Sequence, residues 1–289
     1  MIWSYTIKLV STIGGINMEL SLVSNKNNEK KIIDLGDGVS IGGTDFTIIA
    51  GPCAVEDEAQ IETIAKYLSS LDIKILRGGA FKPRTSPYAF QGLGYKGLEL
   101  LRKVGDKYNM KVISEIMDPR DVTKSYEFVD IYQIGSRNMQ NYSLLREIGK
   151  TNKPVLLKRG MTATLKEWLM AAEYIAIEGN DNIILCERGI RTFENYTRNT
   201  LDLTAVPIIK SLSKLPIIVD PSHGTGRREL VTPITRAAVA AGANGIMVEV
   251  HPNPCEALSD GMQSLELNEV PKLLNEIKTI KECIDRLDK

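Results

Sequence analysis

The sequence has few cysteines and no close cysteine pair. Its four cysteines lie far apart at Cys53, Cys186, Cys255 and Cys283, so there is no CxxC motif of the kind that binds zinc or exchanges disulfides. No convincing secretory signal peptide is found, and four scattered cysteines do not resemble a disulfide framework. We therefore expect reduced thiols and a cytoplasmic protein.

The sequence also lacks net charge and long hydrophobic runs. Its 36 basic and 36 acidic residues cancel to a formal charge of zero, and they are interspersed along the chain. No apolar run approaches the roughly 20 residues that a membrane-spanning helix needs. We therefore expect no nucleic-acid or membrane partner. With 43% hydrophobic and 25% charged residues, the composition is that of an ordinary globular protein.

The N-terminal part carries the weakest structural signal. We predict an extension of uncertain order over residues 1–30, in which a second methionine, Met18, leaves the start of translation open. The sequence KIIDLGDGVSIGG then predicts a β-hairpin at about residues 31–43, because two short β-type segments flank a Gly-Asp-Gly turn. A single catalytic domain, which includes this hairpin, is expected over residues 31–289.

Short apolar runs alternate with amphipathic stretches along the rest of the chain. The runs are rich in β-branched residues and are predicted strands, at 46–50, 73–77, 111–115, 130–134, 154–158, 182–187, 215–220 and 244–249. Amphipathic helices are predicted between them, for example at 57–71, 97–108, 165–178 and 228–241, with 267–287 closing the chain. Continuous apolar strands of this kind indicate a parallel sheet that is covered by helices.

Two folds share this alternation, the closed (β/α)₈ barrel and the doubly wound open sheet. An open sheet usually gathers its functional residues at one switch point of the strand order. Here nearly every predicted strand ends in a charged or polar candidate residue, as expected where all strand ends meet at the mouth of a barrel. We therefore predict an α/β fold, a (β/α)₈ TIM barrel with a short N-terminal β-hairpin extension.

Four potential metal ligands lie at predicted strand ends or just beyond one. They are Cys53 in IIAGPC, His223 in IIVDPSHGTG, Glu249 in GIMVEV and Asp260 in ALSDGMQSL. A thiolate, an imidazole and two carboxylates suit a divalent ion such as Mn²⁺, Fe²⁺, Co²⁺ or Zn²⁺. Taken singly, a cysteine after Gly-Pro is usually a small buried apolar residue, and a loop aspartate is usually a turn former. The second histidine, His251, is interpreted as structural.

A set of cations follows the same predicted strand ends. It comprises Arg77, Lys82, Arg84, Arg137, Lys158, Arg159, Arg188 and Arg191. Their positions beside Gly-rich turns favour recognition of phosphate and carboxylate groups over a solvated surface. Their number suggests an anionic substrate load of two phosphates and a carboxylate. Thr85, Ser86 and Ser136 add hydroxyl donors in the same loops.

Several motifs occur in an order that resembles a known enzyme family. They are GPC at 51–53, LRGG at 76–79, KPRTS at 82–86, DPSHGTG at 220–226 and EVHP at 249–252. Together they resemble 3-deoxy-D-arabino-heptulosonate 7-phosphate (DAHP) synthase in its short class I-beta form. The resemblance extends from about Lys31 to the C-terminus and implies a barrel enzyme.

The resemblance implies a reaction and a role for each site residue. Phosphoenolpyruvate and D-erythrose 4-phosphate would condense to DAHP and inorganic phosphate, the first step of the shikimate pathway. One divalent ion would be held by Cys53, His223, Glu249 and Asp260. Phosphoenolpyruvate would bind Arg77, Lys82, Arg137, Lys158 and Arg188, and erythrose 4-phosphate would bind Arg84, Thr85, Ser86 and Ser136. The catalytic residues would be Lys82, Lys158 and Glu115, with Lys158 as a proton donor.

The family also implies an oligomeric state and a mode of regulation. A homo-oligomer, either a dimer or a tetramer, is expected. Longer members carry a regulatory domain before the barrel, and the segment that precedes the predicted barrel here is too short for one. We therefore expect no inhibition by phenylalanine, tyrosine or tryptophan.

Three other functions remain open at this point. The enzyme 3-deoxy-D-manno-octulosonate 8-phosphate synthase has a similar barrel but carries a Lys-Ala-Asn-Arg-Ser-type loop where this chain has KPRTS. A Schiff-base aldolase would use Lys158 as its nucleophile and would not depend on a metal. A non-catalytic phosphate-binding barrel would be expected to lose one of the four ligands, and all four are present.

Overall fold

The computed structural model describes residues 11–13, 16–18, 20–26 and 28–287. The predicted extension over residues 1–30 therefore lies partly outside the described residues. Four short strands precede the barrel in two antiparallel pairs. They are β1 (Ser11–Ile13), β2 (Ile16–Met18), β3 (Ile33–Asp34) and β4 (Ser40–Ile41).

Eight parallel strands form a closed barrel. In chain order they are β5 (Thr47–Gly51), β6 (Ile75–Arg77), β7 (Lys111–Glu115), β8 (Ile131–Ile134), β9 (Val155–Lys158), β10 (Ile183–Glu187), β11 (Ile217–Val219) and β12 (Gly245–His251). Neighbours in the chain pair in parallel, and β12 pairs with both β11 and β5, which closes the sheet. The predicted (β/α)₈ TIM barrel is therefore confirmed. A last short strand, β13 (Leu265–Glu266), pairs with the end of β12.

Helices cover the outside of the barrel. They are α1 (Glu58–Ser70), α2 (Tyr95–Lys107), α3 (Val122–Ser125), α4 (Tyr142–Gly149), α5 (Leu165–Ala176), α6 (Ala205–Leu212), α7 (Pro221–Thr225), α8 (Arg228–Ala240) and α9 (Val270–Leu287). Short 3₁₀ turns occur at Pro119–Asp121, Ser136–Asn138, Pro254–Glu256, Gly261–Gln263 and Leu267–Glu269. Within the described ranges, no helix is both long and apolar enough to cross a membrane.

Local capping explains where two of the predicted helices begin. The Asp57 side chain accepts a hydrogen bond from the Gln60 backbone N–H and so satisfies a free donor at the start of α1. At the start of α5, Thr164 and Glu167 form a reciprocal capping box. Both signals are local in sequence, which is why these helix starts could be predicted to within a residue.

Alternate residues of the barrel strands pack into two separate apolar layers. One layer includes Ala50 and Leu76 together with the apolar faces of the surrounding helices. The other includes Ile49 and Ile75 and fills the inside of the barrel. Because both faces of each strand are buried, the strands are apolar throughout instead of alternating with polar residues.

The predicted N-terminal hairpin is present and closes the bottom of the barrel. Ile33 and Ile41 pair across β3 and β4 and belong to the apolar layer inside the barrel, where both are buried. The hairpin turn places Asp37 at 2.6 Å from Lys111, the first residue of β7, so the hairpin lies at the end where the strands begin. Burial of an isoleucine side chain stabilises a fold by about 1.5–3 kcal/mol, so this plug contributes to the core.

Residues 20–26 run along the same end of the barrel as a strap. The backbone N–H groups of Ser21, Leu22 and Val23 donate to the carboxylate of Glu173 on α5, over distances of 2.8 to 3.2 Å. The carbonyl of Val23 accepts hydrogen bonds from the hydroxyl of Ser213 and the backbone N–H of Lys214. The strap therefore leaves the opposite end, where the strands finish, open to solvent.

Candidate active site at the barrel mouth

The structure brings the four potential metal ligands together at the mouth of the barrel. One ligand atom from each of Cys53, His223, Glu249 and Asp260 lies within 4.8 Å of the other three. Glu249 belongs to β12, and Cys53 follows the end of β5, the neighbouring strand. The sequence separates these residues by up to about two hundred positions, and only closure of the barrel makes them adjacent.

Two features of the strand ends set the positions of Cys53 and Glu249. Gly51 has a φ of 153°, and a Cβ atom there would lie 1.8 Å from the carbonyl oxygen of Arg77, so only glycine fits. Strand β12 continues past Glu249 to His251, further than predicted. His251 lies outside the ligand group, and its Nε2 is 3.5 Å from a Glu56 carboxylate oxygen. This position is consistent with the interpretation of His251 as a structural residue.

His223 lies on a short helix, α7, that follows β11 directly. Asp220 caps this helix by accepting a hydrogen bond from the backbone N–H of His223. The same aspartate contacts His223 Nδ1 at 2.7 Å, and this fixes the ring so that Nε2 faces Glu249 at 3.3 Å. Burial lowers the pKa of His223, so at neutral pH the ring is uncharged, as a metal ligand must be.

Cys53, Glu249 and Asp260 each lie beside a cation, and for Cys53 and Glu249 both partners are almost completely buried. Arg77 Nη1 lies 2.5 Å from Glu249 Oε1 and also donates to the carbonyl of Pro52. Lys82 Nζ lies 2.9 Å from Cys53 Sγ. Burial, together with the nearby Glu249 carboxylate, nevertheless raises the pKa of the Cys53 thiol to about 11. In the metal-free protein Cys53 is therefore a thiol at neutral pH.

The third pair involves Arg198, a residue that the sequence did not single out. Its Nη1 lies 3.2 Å from Asp260 Oδ1 and donates to Gln263 Oε1 at 2.8 Å. Gln263 in turn donates to Glu249 Oε2 at 2.6 Å. Arg198 lies in the polar loop between β10 and α6 and follows no strand directly, so strand ends gave no signal for it. Gln263 was missed for the same reason.

A polar cavity of about 320 Å³ opens directly above the ligand group. Every residue predicted to bind a substrate lines it, and so do Glu115, His223 and Asp260. Arg191 and Arg198 contribute to the wall as well. Cys53 and Glu249 are buried, and their ligand atoms lie within 4.8 Å of those of His223 and Asp260, which line the cavity. The cavity therefore combines a cationic wall with a group of residues suited to hold a metal.

The cations of this wall differ in how far their charge is already compensated. Lys158 Nζ is 2.6 Å from Asp220 Oδ2, so its ammonium has a carboxylate partner. Arg188 is buried without an ion pair in the described part of the chain, and burial lowers its pKa. Arg137 is exposed and has no ion-pair partner among the described residues. Arg188 and Arg137 are therefore available to an anionic substrate, as are Arg84 and Arg191, which line the same wall.

One predicted cation, Arg159, does not reach the cavity. Its guanidinium lies 2.8 Å from Glu187 and 2.9 Å from Asp202, beneath the loop that follows β10. The sequence grouped it with the anion-binding residues because it follows a strand end directly after Lys158. The structure shows an ion pair that holds the loop instead.

Glu115 ends β7 and lines the cavity, and one of its carboxylate oxygens is buried without a partner among the described residues. Its Oε2 accepts a hydrogen bond from Gln133, while its buried Oε1 has no partner among the described residues. Gly135 makes room for this carboxylate, since a Cβ atom there would lie 2.1 Å from Oε1. A buried acceptor without a partner is costly, so Oε1 is placed to accept a hydrogen bond from a bound molecule.

The fold and this site together define a barrel enzyme that can hold a divalent metal beside an anion-binding cavity. The model of the DAHP synthetase I family matches residues 23–286. The chain belongs to this family, and the resemblance seen in its motifs is thereby confirmed.

Sequence relatives support the same assignment. Phospho-2-dehydro-3-deoxyheptonate aldolase of Thermotoga maritima is 55% identical over 280 residues, which cover 96% of this chain and 82% of that protein. The 2-dehydro-3-deoxyphosphooctonate aldolase of Geobacter sulfurreducens is 34% identical over 261 residues, which cover 84% of this chain and 95% of that protein. The octulosonate enzymes are thus the more distant relatives.

Solved structures agree with the sequence comparison. A crystal structure of phospho-2-dehydro-3-deoxyheptonate aldolase (DAHP synthase) from Thermotoga maritima has a TM-score of 0.88 and 57% identity, covering 91% of this chain and 77% of that one. A truncated form of 3-deoxy-D-arabino-heptulosonate 7-phosphate synthase from Thermotoga maritima has a TM-score of 0.85 and 54% identity, covering 91% of this chain and 97% of that one.

Proposed function

We propose that this protein condenses phosphoenolpyruvate with D-erythrose 4-phosphate to give DAHP and inorganic phosphate. The observation that carries the proposal is the cationic cavity directly above a four-residue ligand group, in a chain that belongs to the DAHP synthetase I family. Two phosphorylated substrates, one of which also carries a carboxylate, account for the number of cations in the wall.

We propose that the ligand group holds one divalent metal ion. The donor set fits, because Cys53, His223, Glu249 and Asp260 offer one sulfur, one nitrogen and two carboxylate ligands whose atoms are already gathered. Mn²⁺, Fe²⁺, Co²⁺ and Zn²⁺ all suit this set. Lewis-acid polarisation of the aldehyde carbonyl is the chemistry that such an ion supplies.

Phosphoenolpyruvate is assigned to the deeper part of the cavity, where the buried cations lie. Arg188 and Lys82 are almost fully buried, and Arg137 reaches in from the loop after β8. Charge-assisted hydrogen bonds to its phosphate and carboxylate would fix its orientation. Lys158 contributes a further ammonium from the end of β9, and Arg77, whose guanidinium is paired with Glu249, also lines the cavity. Such positioning supplies the proximity that a two-substrate reaction requires.

Erythrose 4-phosphate is assigned to the outer part of the cavity, beside the KPRTS loop. Arg84 lines the cavity and is held by hydrogen bonds from its Nε to the carbonyl of Phe90 and from its Nη2 to the carbonyl of Leu258 at 3.4 Å. These contacts leave Nη1 as the nitrogen available to a phosphate. The hydroxyls of Thr85 and Ser86 are exposed at the entrance, and Ser136 faces them across the cavity. These donors suit the terminal phosphate of a short sugar.

The side chains also supply the proton transfers of the proposed reaction. Carbon C3 of phosphoenolpyruvate attacks the aldehyde carbon, water adds to C2, and the resulting tetrahedral intermediate expels phosphate. The aldehyde oxygen must gain a proton, and we assign Lys158 as its donor. The attacking water must lose one, and the unpaired Oε1 of Glu115 can accept a hydrogen bond from that water.

The proposal extends to the cellular compartment, the extent of the catalytic unit and the oligomeric state. A metal site with a free thiol ligand requires a reducing compartment, which favours the cytoplasm. We propose residues 31–289 as the catalytic unit, supported by a family match over 23–286. A dimer or tetramer is our expectation for its assembly.

The test is an aldose-phosphate panel with phosphoenolpyruvate, whose consumption is followed spectrophotometrically with and without a metal chelator. We expect rapid consumption with erythrose 4-phosphate, little with arabinose 5-phosphate, and none after chelation. Mn²⁺ or a similar ion should restore the activity. A preference for arabinose 5-phosphate would instead make this an octulosonate enzyme, and inactivation by borohydride in the presence of substrate, without metal dependence, would indicate a Schiff base at Lys158.

A further inference from the structure

We propose that Arg198 is a positioning residue that sets the affinity of the site for its metal by orienting two of the four ligands. The proposal rests on the proposed function, because it takes the four-residue ligand group to be a metal site. Arg198 is not itself a ligand. Its Nη1 forms an ion pair with Asp260 and donates a hydrogen bond to Gln263. Its role is therefore separate from that of the ligands.

The first arm of this arrangement is the direct contact between Arg198 and the carboxylate of Asp260. Asp260 lies in a loop with a backbone φ of 54°, a left-handed conformation that few residues other than glycine adopt without strain. Its two carboxylate oxygens are held from different sides. Arg198 contacts Oδ1 at 3.2 Å, and the Cys53 thiol donates to Oδ2 at 3.2 Å. A Cys53 thiolate bound to a metal would no longer donate this hydrogen bond, which would leave Arg198 as the side chain that orients the Asp260 carboxylate.

The second arm reaches Glu249 through Gln263. Arginine has only donors, so the carbonyl oxygen of the Gln263 amide must face Arg198 and its NH₂ group must face the other way. That NH₂ group donates to Glu249 Oε2 at 2.6 Å, while Arg77 contacts Oε1. Gln263 is buried, so water does not compete for its amide. The Glu249 carboxylate only accepts hydrogen bonds and so selects the same end of the amide; Arg198 adds a contact at the opposite end that restricts movement of the amide.

Charge neutralisation alone does not account for this arrangement. Glu249 is already paired with Arg77 in the core of the site, and Lys82 already lies beside Cys53. Arg198 is 37% exposed and adds less charge compensation than either. What it adds is geometry, because one rigid guanidinium holds the Asp260 carboxylate and the Gln263 amide together. Partners of this kind that orient ligands typically change metal affinity by about 10–100-fold.

The test measures metal affinity directly, independently of turnover. The dissociation constant for Co²⁺ is determined by competition with a chelator, and the Co²⁺ absorption spectrum reports coordination through the thiolate of Cys53. Arg198→Ala should weaken Co²⁺ binding by about 10–100-fold and change the absorption bands. Arg198→Lys should recover only a small part of this loss, because an ammonium is a point charge that cannot hold both acceptors in a fixed geometry.

Two further variants separate the arms and provide a control. Gln263→Ala should produce a smaller loss than Arg198→Ala, because it removes only the arm that reaches Glu249. Arg227→Ala removes a guanidinium from a neighbouring loop whose ion pair, with Glu229, involves no ligand. It should leave the Co²⁺ affinity and the spectrum unchanged. The unfolding midpoint of each metal-free variant is measured to verify that the variant is folded under the conditions of the Co²⁺ titration.

The outcomes distinguish this proposal from the proposed function. A wild-type protein that does not bind Co²⁺ would overturn both. Wild-type binding with an unchanged Co²⁺ affinity in Arg198→Ala would overturn the role of Arg198 alone. An unchanged metal affinity combined with a raised KM for either substrate would also overturn it, since Arg198 would then bind substrate directly. Full recovery by Arg198→Lys would show that charge and not geometry matters, and would likewise reject the proposal.

Discussion

The two ends of the barrel bury side chains of opposite character. At the bottom, Ile33 and Ile41 of the hairpin close the interior with apolar surface. At the mouth, the ion pair between Arg77 and Glu249 is buried just as completely. Apolar burial stabilises a fold in proportion to area, whereas a buried ion pair contributes little net stability because desolvation offsets the attraction. The apolar contacts at the bottom therefore stabilise the barrel. The buried charges at the mouth contribute little to stability and are available for binding and catalysis.

The contacts of the loops follow the same division. The strap of residues 20–26 and the hairpin are fixed at the bottom by backbone hydrogen bonds and buried apolar side chains. The KPRTS loop at the mouth leaves Thr85 and Ser86 exposed. Substitutions at the bottom should thus change stability with little effect on turnover, and substitutions at the mouth should do the reverse. The buried pairs at the mouth are the exception, and they provide the sharpest test.

The largest effect is expected from Arg77→Met in the metal-free protein. Removing one partner of a buried pair leaves Glu249 uncompensated and should lower the free energy of unfolding by about 3–5 kcal/mol. A bound divalent cation would compensate the same carboxylate, so added metal should restore much of the loss. Urea denaturation with chelator and with Mn²⁺ measures both quantities.

The control for this variant is Arg120→Met. Arg120 forms a comparable pair with Asp118, but the arginine is 84% exposed. We expect no measurable change in its unfolding midpoint, because exposed pairs are well solvated. An Arg77→Met protein as stable as wild type without metal would show that the mouth is not electrostatically costly, and the comparison of the two ends would fail.

The next effect is at the bottom, for Ile33→Ala. Deleting a buried isoleucine side chain should lower the free energy of unfolding by about 2–5 kcal/mol. The kcat and both KM values should stay unchanged below the new unfolding transition. The neighbouring Ile32→Ala is a matched control, because Ile32 is 56% exposed and should change neither stability nor turnover. A large fall in kcat for Ile33→Ala at a temperature where it remains folded would contradict the division.

Arg84→Ala should show the reverse behaviour at the mouth. Loss of a charge-assisted contact to the sugar phosphate is worth about 1.5–3 kcal/mol, which is a tenfold to hundredfold fall in kcat/KM for erythrose 4-phosphate. The KM for phosphoenolpyruvate and the unfolding midpoint should change little. Lys82→Ala, two residues away, should instead impair phosphoenolpyruvate use and kcat together. An unchanged KM for erythrose 4-phosphate in Arg84→Ala would place the sugar phosphate elsewhere.

The smallest effect concerns a charge at the bottom, in Asp181→Asn. Asp181 lies 2.6 Å from Lys31 and 3.0 Å from Lys214, and it is 39% exposed. Burial opposes the effect of the two lysines, but their hydrogen bonds prevail and lower the pKa of Asp181 below its ordinary 3.8. The loss of stability in Asp181→Asn at neutral pH should be at most about 1 kcal/mol, because exposed pairs are screened.

The pH dependence of this difference has a definite sign. A lowered carboxyl pKa contributes stability that is fully present above 3.8, the unfolded value, and is lost as the pH falls through the lower folded value. The stability curves of wild type and Asp181→Asn should therefore converge below pH 3.8 and stay parallel at neutral pH. A gap that widens on acidification would show that Asp181 acts in some other way.

The sequence by itself determined the local features of this protein. Strand and helix positions follow from periodicity and from caps such as Asp57, because burial and capping depend on neighbours a few residues away. The hairpin turn around Asp37 could be read for the same reason, since glycines supply its left-handed backbone. The ligand types and the KPRTS loop were also visible, because strand ends in a parallel barrel meet at one face.

Only the tertiary structure decided how the charges are shared. Asp220 contacts both Lys158 and His223. Arg159 pairs with Glu187 and does not reach the cavity. Arg198, which follows β10, pairs with Asp260, which follows β12. Apart from the contact between Asp220 and His223, which are three residues apart, these pairings join residues far apart in the chain. The distances between loops therefore determine which charged groups pair. Charge interactions depend on that distance and on burial, and neither quantity is encoded in local sequence patterns.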